Sequence, residues 1–372
     1  MNPSNFKTLG TYISGRDNNF NLIRLLAAAL VLITHSFTLR GFAAIEIPIL
    51  KVDSGGLAVA VFFITSGFLI SMSYMNRQST ISYLEARALR IYPGLIVSVL
   101  FCTFIIGPIF STLPVTRYLL TPAVYKFLVI NSLLILDIVQ LRYVLPQVFT
   151  NNPFAPTVNG SLWSLPYEMW MYILLLVLGS VKILSHRKWF NIFFVGFMLQ
   201  FILGQTYFPN LGIVKALALY EYLTACFLSG VFFYVNKDHT PLHVFVLLFA
   251  WALVFLCRST IFSGILNLFT VGYTVFWFAF VPAGHIRKFN NFGDYSYGVY
   301  IYAFPIQQTF LAIFHTMSPW LLLVCASITT LFFAVLSWRF VEKPALAYKG
   351  VLYKKGIALL RRALPSESLL SE

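Results

Sequence analysis

RLLAAALVLITH, residues Arg24 to His35, places two ionisable side chains in a run otherwise apolar enough to span a membrane. At 100° per residue the eleven-residue step comes to three turns plus about 20°, so both side chains project from one helix face, roughly 16 Å apart along the axis. Arg24 is then expected at the mouth of a span and His35 inside the bilayer. A histidine at that depth is costly unless it faces a bundle interior or a wet cavity, which makes it a candidate functional residue. Imidazole titrates near neutrality, which suits a general base. The alternative is a histidine that hydrogen-bonds a neighbouring helix and does no chemistry.

Composition sets the class of the whole chain. Of 372 residues, 59% are hydrophobic and 10% charged, and the mean hydropathy is +0.80. These values describe a polytopic helical membrane protein and exclude a soluble globular domain. Residues 1–20 carry Lys7, Arg16 and Asp17 but no short apolar core with a small-residue cleavage site. A cleavable signal peptide is therefore not expected, and the first span acts as its own insertion signal. Cys102, Cys226, Cys257 and Cys325 lie apart in apolar runs, without CxxC spacing or nearby histidines, and read as packing residues, not disulfides or metal ligands. The net charge of +14 is scattered among short loops, so membrane topology explains it better than nucleic acid.

Apolar runs long enough to cross fall near 22–39, 57–75, 91–113, 119–141, 164–184, 189–208, 212–235, 242–257, 260–282, 295–316 and 319–341. If all of these crossed from a cytoplasmic N-terminus, the basic tail and the Lys182, Arg187, Lys188 cluster would lie outside, against the positive-inside rule. The long run interrupted by both Lys126 and Asp137 is 119–141. Without it, Arg40, Lys51, Arg117, Lys126, Arg142, Lys215 and Arg258 are outside and the other 19 of the 26 Lys and Arg are inside. The expected fold is therefore all-α: a polytopic membrane helix bundle of about ten transmembrane helices, both termini cytoplasmic, with 119–141 re-entrant or interfacial. Residues 1–345 read as one membrane domain and 346–372 as a basic cytoplasmic tail, either a surface helix or a disordered end.

Three further stretches carry candidate chemistry. The largest outer segment, about 114–162, ends in a Pro-, Asn- and Gly-rich loop expected to cover the outer mouth of a cavity. Its Asn159-Gly160-Ser161 fits both a glycosylation sequon and a simple Asn-Gly turn. Arg87 and Arg90, three apart on a helix, read either as one anion clamp or as ordinary interfacial residues snorkelling to headgroups. Ser161-Leu-Trp-Ser-Leu-Pro-Tyr-Glu168 puts a carboxylate in an apolar run. Glu168 then needs a partner such as Arg24, Arg90 or His35, for catalytic support or as a structural ion pair.

Taken together these elements resemble the membrane-bound acyltransferase-3 family, which O-acylates bacterial surface glycans. The resemblance rests on Arg24-x10-His35, on Gly56 followed by Val61-Phe-Phe-Ile-Thr-Ser-Gly-Phe-Leu-Ile70, and on Arg87-x-x-Arg90 with Tyr92-Pro93. It continues in Ser161 to Glu168, Tyr295-Ser-Tyr-Gly-Val-Tyr-Ile-Tyr302 with Phe304-Pro305, and Trp338-Arg-Phe-Val-Glu342-Lys-Pro344. The matches run in family order from about residue 20 to 345. Two positions depart: Ala303 stands where many members carry histidine, and Thr65 is unusual within the second motif. The first departure puts any base role on His35. The chain resembles the stand-alone form, without a fused extracytoplasmic domain.

The resemblance implies an O-acetyltransferase of the bacterial inner membrane. Its donor would be cytoplasmic acyl-CoA, most simply acetyl-CoA, as a substrate and not a tightly bound cofactor; its acceptor would be a glycan hydroxyl. Arg87 and Arg90, with the adjoining Tyr92, become the expected donor-binding residues, and His35, Glu168 and Arg24 the expected catalytic ones. Ser66, Tyr92 and Tyr297 are the candidate donors to a developing oxyanion. No metal is implied, the other partner is the lipid bilayer, and the sequence gives no oligomeric state. The rival is a transporter or flippase, which shares the span count and the intramembrane charges. Against it stands the lack of an internal repeat or of matching Gly/Pro-broken helices in two halves.

Overall fold

The computed structural model describes residues 7–13, 17–76, 79–134 and 143–351. Among the described residues ten main helices run along the bundle: α1 (Phe20–Thr38), α2 (Ser54–Met75), α3 (Thr80–Phe101), α4 (Leu165–Ser180), α5 (Arg187–Tyr207), α6 (Gly212–Val235), α7 (Val244–Cys257), α8 (Ser263–Phe280), α9 (Ser296–Ile313) and α10 (Pro319–Ser337). A π-helical turn, Cys102–Ile106, prolongs α3, and a second, Trp338–Glu342, prolongs α10. The described strands are a two-stranded hairpin, Glu46–Ile47 with Val52–Asp53, between α1 and α2. Its last residue caps the next helix: Gly56 N donates to Asp53 Oδ1 at 2.8 Å, satisfying one open amide of α2.

Eight of the described helical stretches are long and apolar enough to cross a membrane, so the chain is an all-α polytopic bundle as expected. The remaining two expected spans fall to α7 and α9. At 14 residues, α7 reaches only about 21 Å. In α9 nearly every side chain is buried, Gln307 and Gln308 included. A helix surrounded by protein can carry polar groups that lipid would not accept.

Contacts at the helix ends sort the loops into two sets. At one end Asp17 pairs with Arg287, Thr8 bridges Pro241, and Asn191 and Asn236 exchange side-chain hydrogen bonds at 3.0 and 2.9 Å. At the other, Asn267 Nδ2 donates to Leu50 O at 2.8 Å and Arg40 Nη1 to His315 O at 2.8 Å. The stretch after α3 leaves and returns at this second end: Ser111 Oγ donates to Pro146 O at 2.8 Å. Between them the helix Pro122–Leu133 has 12 residues, about 18 Å and too short to cross. Residues 135–142, the rest of the expected re-entrant run, lie outside the described residues.

The centre is set by a close helix crossing. A Cβ on Gly67 would lie 2.0 Å from Phe227 O, and one on Gly230 would lie 2.0 Å from Ile64 O. α2 and α6 therefore touch backbone to backbone, which small residues permit and which replaces the hydrophobic drive that lipid cannot supply. Beside this crossing Phe20, Phe68 and Phe276 pack with ring centroids 4.6 to 6.4 Å apart.

Around the expected boundary at residue 345 the described residues continue to 351. A short helix, Lys343–Ala347, follows the π turn, and Gly350 N donates to Glu85 Oε1 of α3 at 3.0 Å. The rest of the expected tail, 352–372, lies outside the described residues.

Candidate active site

At the end of the bundle that holds Asp17 and Arg287, four charged side chains from four separate segments meet. Arg24 Nη1 of α1 lies 2.9 Å from Asp294 Oδ2, and Arg90 Nη2 of α3 lies 2.6 Å from the same oxygen. Arg90 Nη1 reaches Glu342 Oε2 at 3.5 Å. Ser296 Oγ donates to Asp294 Oδ1 at 2.5 Å, and Ser337 Oγ to Glu342 Oε1 at 2.8 Å. Burying charges is costly unless they are paired and their remaining lone pairs satisfied, and this network meets both conditions. Burial opposes ionisation of Asp294, but the Arg90 and Arg24 guanidiniums outweigh it and hold its carboxyl at about 2. Glu342 owes its position to the π turn, whose extra residue re-aims a side chain that a regular helix would direct elsewhere.

Two cavities adjoin this network. The larger, about 790 Å³ including its open part, is lined by Arg87, Arg90, Tyr172, Leu346 and Lys349 among others. The smaller, about 480 Å³ on the same measure, open part included, is lined by Phe62, Phe63, Ser164, Tyr297 and Tyr300 among others. Arg24, Ser66 and Glu168 line both, so these three side chains stand where the cavities meet. Glu168 is held there by donors from two helices: Ser66 Oγ donates to its Oε1 at 3.1 Å, and Tyr172 OH donates to the same oxygen. Arg24 lies 5.9 Å from the Phe62 ring, Arg87 5.8 Å from Tyr172 and Arg90 5.6 Å from Tyr297, so each cation also rests on an aromatic face.

His35 lies beyond the smaller cavity. Tyr300 lines that cavity and hydrogen-bonds Ser164 at 2.6 Å. Phe304, one turn further along α9, meets the His35 ring edge-on at a centroid distance of 5.1 Å. The imidazole is half-buried, and its Nδ1 is buried without a hydrogen-bond partner. Around it Gln307 Nε2 donates to Leu32 O and Ser36 Oγ, both at 2.8 Å. The loop before α4 docks on this layer: Asn159 Nδ2 donates to Ile301 O at 2.9 Å, and Phe154 packs on Phe304 at 6.3 Å.

The structure thus brings Arg24, Arg87, Arg90 and Glu168 to one continuous cavity pair and sets His35 about one turn beyond it. Tyr92 lines neither cavity and packs against the apolar core. Of the expected oxyanion donors, Ser66 is turned to Glu168, while the Tyr297 hydroxyl donates to Ile91 O at 2.9 Å. Sequence reasoning assigned no role to Asp294, Glu342 or Tyr172. Asp294 and Glu342 sit just outside the apolar runs 295–316 and 319–341, so the rule that singled out Glu168 inside a run does not reach them. A metal site has no support among the described residues, where no group of three His, Cys, Asp or Glu side chains is placed to hold an ion.

Residues 17–339 match the acyltransferase domain of the acyltransferase-3 type. The chain is 29% identical over 348 residues to an O-acetyl transferase of Shigella phage Sf6, covering 88% of this chain and 96% of that protein. It is 24% identical over 390 residues to nodulation protein 10 of Rhizobium leguminosarum bv. viciae, covering 96% of this chain and all of that protein. No solved structure matches. With a match across nearly the whole chain, this protein belongs to the membrane acyltransferase-3 family and is an acyltransferase of groups other than amino-acyl groups.

Proposed function

We propose that this acyltransferase moves an acyl group, most simply acetyl, from cytoplasmic acyl-CoA to a sugar hydroxyl of a surface polysaccharide or lipid-linked glycan at the bacterial inner membrane. The observation that carries this reading is the cavity pair that starts among Arg87 and Arg90, passes Arg24, Ser66 and Glu168, and ends one turn short of His35. Anionic phosphates fit the guanidinium-lined end, and on this reading the slender pantetheine arm enters the narrower cavity, whose free space of about 40 Å³ must widen to admit it. The thioester carbonyl then lies toward His35.

In the transfer step the sugar oxygen attacks the thioester carbonyl while a ring nitrogen of His35 takes the hydroxyl proton. The carbon–sulfur bond breaks, and CoA leaves as a thiolate that recovers a proton. In the variant with an acyl-enzyme, the imidazole attacks first and the sugar hydroxyl then displaces it. The unpartnered Nδ1 supports either role, because no protein hydrogen bond competes for it. General-base catalysis supplies about 10²–10⁴-fold, and positioning and electrostatics the rest. Glu168 and Arg24 line the path that leads to the thioester, Glu168 holding Ser66 and Tyr172 in place. The test is the ester content of the cell's surface polysaccharide with and without this protein: a lost O-acyl ester identifies acyl group and sugar, and an unchanged glycan contradicts the acceptor class.

A further inference from the structure

The hairpin that joins α4 to α5 belongs to neither the charged junction nor the His35 layer, and it encloses a groove of about 860 Å³, open part included. Lys182, His186, Trp189, Ile192 and Phe193 are among its walls. The hairpin lies at the end of the bundle where Asn191 meets Asn236. Of the apolar window of α5 only 17% is buried inside the protein, so most of this helix faces lipid and the groove opens at the boundary between membrane and water. Trp189, Ile192, Val195 and Leu199, each more than half exposed, form a stripe that continues from the groove along α5.

Charge in this hairpin has one sign. Lys182, Arg187 and Lys188 lie in it, and the sequence between Glu168 and Glu221 holds no Asp or Glu. Among the described residues none of the three cations is paired with a carboxylate. Lys182 stands just past the C-cap of α4 with φ +62°, a left-handed conformation for which glycine is the ordinary residue. Glycine would close α4 with less strain, but it would remove the ammonium from the groove. His186 is the N-cap of α5 and its side chain makes no capping bond. A phosphate in the groove meets the ammonium and an imidazole N–H together, and the positive end of the α5 dipole lies beside them. A zwitterionic headgroup would bring a cation of its own into this positive field. The Trp189 ring is suited to the headgroup level, where its apolar body and its N–H are both satisfied.

We propose that this groove is a binding site for an anionic phospholipid, with the headgroup phosphate between Lys182 and His186 and the acyl chains along Trp189, Ile192, Val195 and Leu199. The full-length protein in detergent is titrated with phosphatidylglycerol and with phosphatidylcholine, and bound lipid is counted by native mass spectrometry. The wild type should prefer phosphatidylglycerol. Loss of one charge-assisted hydrogen bond in Lys182→Gln should weaken phosphatidylglycerol binding by about tenfold. Lys182→Gly, which suits the backbone better than lysine, should lose as much, whereas a purely structural lysine would be replaced by glycine without loss. Lys188→Gln, which removes an equal charge from beside the groove but not from its walls, should bind nearly as the wild type does. Glycerol phosphate, which has the phosphate but no acyl chains, should not displace the lipid. Equal affinity of the wild type for the two lipids, wild-type binding by Lys182→Gln or Lys182→Gly, or an equal loss in Lys188→Gln overturns the proposal. Displacement by glycerol phosphate at the lipid's own concentration would make this a site for a soluble phosphate and overturn the lipid assignment.

Discussion

The charged junction around Asp294 and the polar layer around His35 sit at successive depths of the same bundle and are built in opposite ways. In the first, two guanidiniums and two carboxylates neutralise one another, and two serine hydroxyls donate to the carboxylates. In the second there is no charge pair among the described residues. His35 Nδ1, Gln307 Oε1, Asn159 Oδ1 and Ser161 Oγ are all buried without hydrogen-bond partners. Buried polar atoms are ordinarily satisfied, and those left open in a native structure call for a water, a ligand or a catalytic role. On the function proposed above, the difference separates tasks: the junction is complete in itself and fixes four segments, whereas the His35 layer keeps capacity in reserve for what arrives there.

Breaking each region should therefore give different losses. The largest is expected at His35. Its replacement by Gln keeps a hydrogen-bonding side chain but no base at neutral pH, so transfer should fall by about 10²–10⁴-fold while CoA binding stays near normal, as measured by turnover and by titration. A folded Gln variant with near-normal turnover would make the histidine structural.

Next comes the junction. Asp294→Asn strands two guanidiniums near a single remaining carboxylate, and breaking a buried pair costs about 3–5 kcal/mol. Thermal unfolding in detergent should show this as a large drop in midpoint, with turnover and stability lost together; a variant as stable as wild type would show that the network is not structural. The sign of its pH dependence is also fixed. Asp294 has its carboxyl held at about 2, below the ordinary 3.8, so its contribution is complete above about pH 4 and lost as pH falls toward 2. Any change in activity between pH 5 and 8 must then come from another group.

A smaller effect is expected at Arg87, which no carboxylate pairs with among the described residues. Arg87→Ala should raise the KM for acyl-CoA by about tenfold or more with kcat less affected, and Lys should rescue in part. An unchanged KM would return Arg87 to an interfacial, topological role. Smallest of all in its effect on activity is a pair of single cysteines at Arg117 and Asn151. Both should be labelled from the same side of the membrane, since the chain returns to one end between them; labelling from opposite sides would break the ten-pass arrangement.

Much of this was legible in the sequence, and the limits have physical causes. The spans followed from apolar run length, and the failure of 119–141 to complete a crossing was indicated by charge placement. Glu168 stood out because a carboxylate inside an apolar run is expensive. The partners of Arg90 did not stand out, because Asp294 and Glu342 are 204 and 252 residues away and no local periodicity encodes such a meeting. The π turn that aims Glu342 is invisible to a 3.6-residue pattern. Arg87 and Arg90 read alike in sequence; only their neighbours in space distinguish the one already paired from the one still open.

The most direct test is to supply the purified protein, in liposomes with a glycan extract from its own cells, with acetyl-CoA labelled on the acetyl group. Acyl transfer through His35 predicts release of one free CoA for each label that becomes esterified to glycan, and neither product from His35→Gln. Label that remains on CoA, or glycan labelling at wild-type rate by the His35→Gln variant, would contradict it.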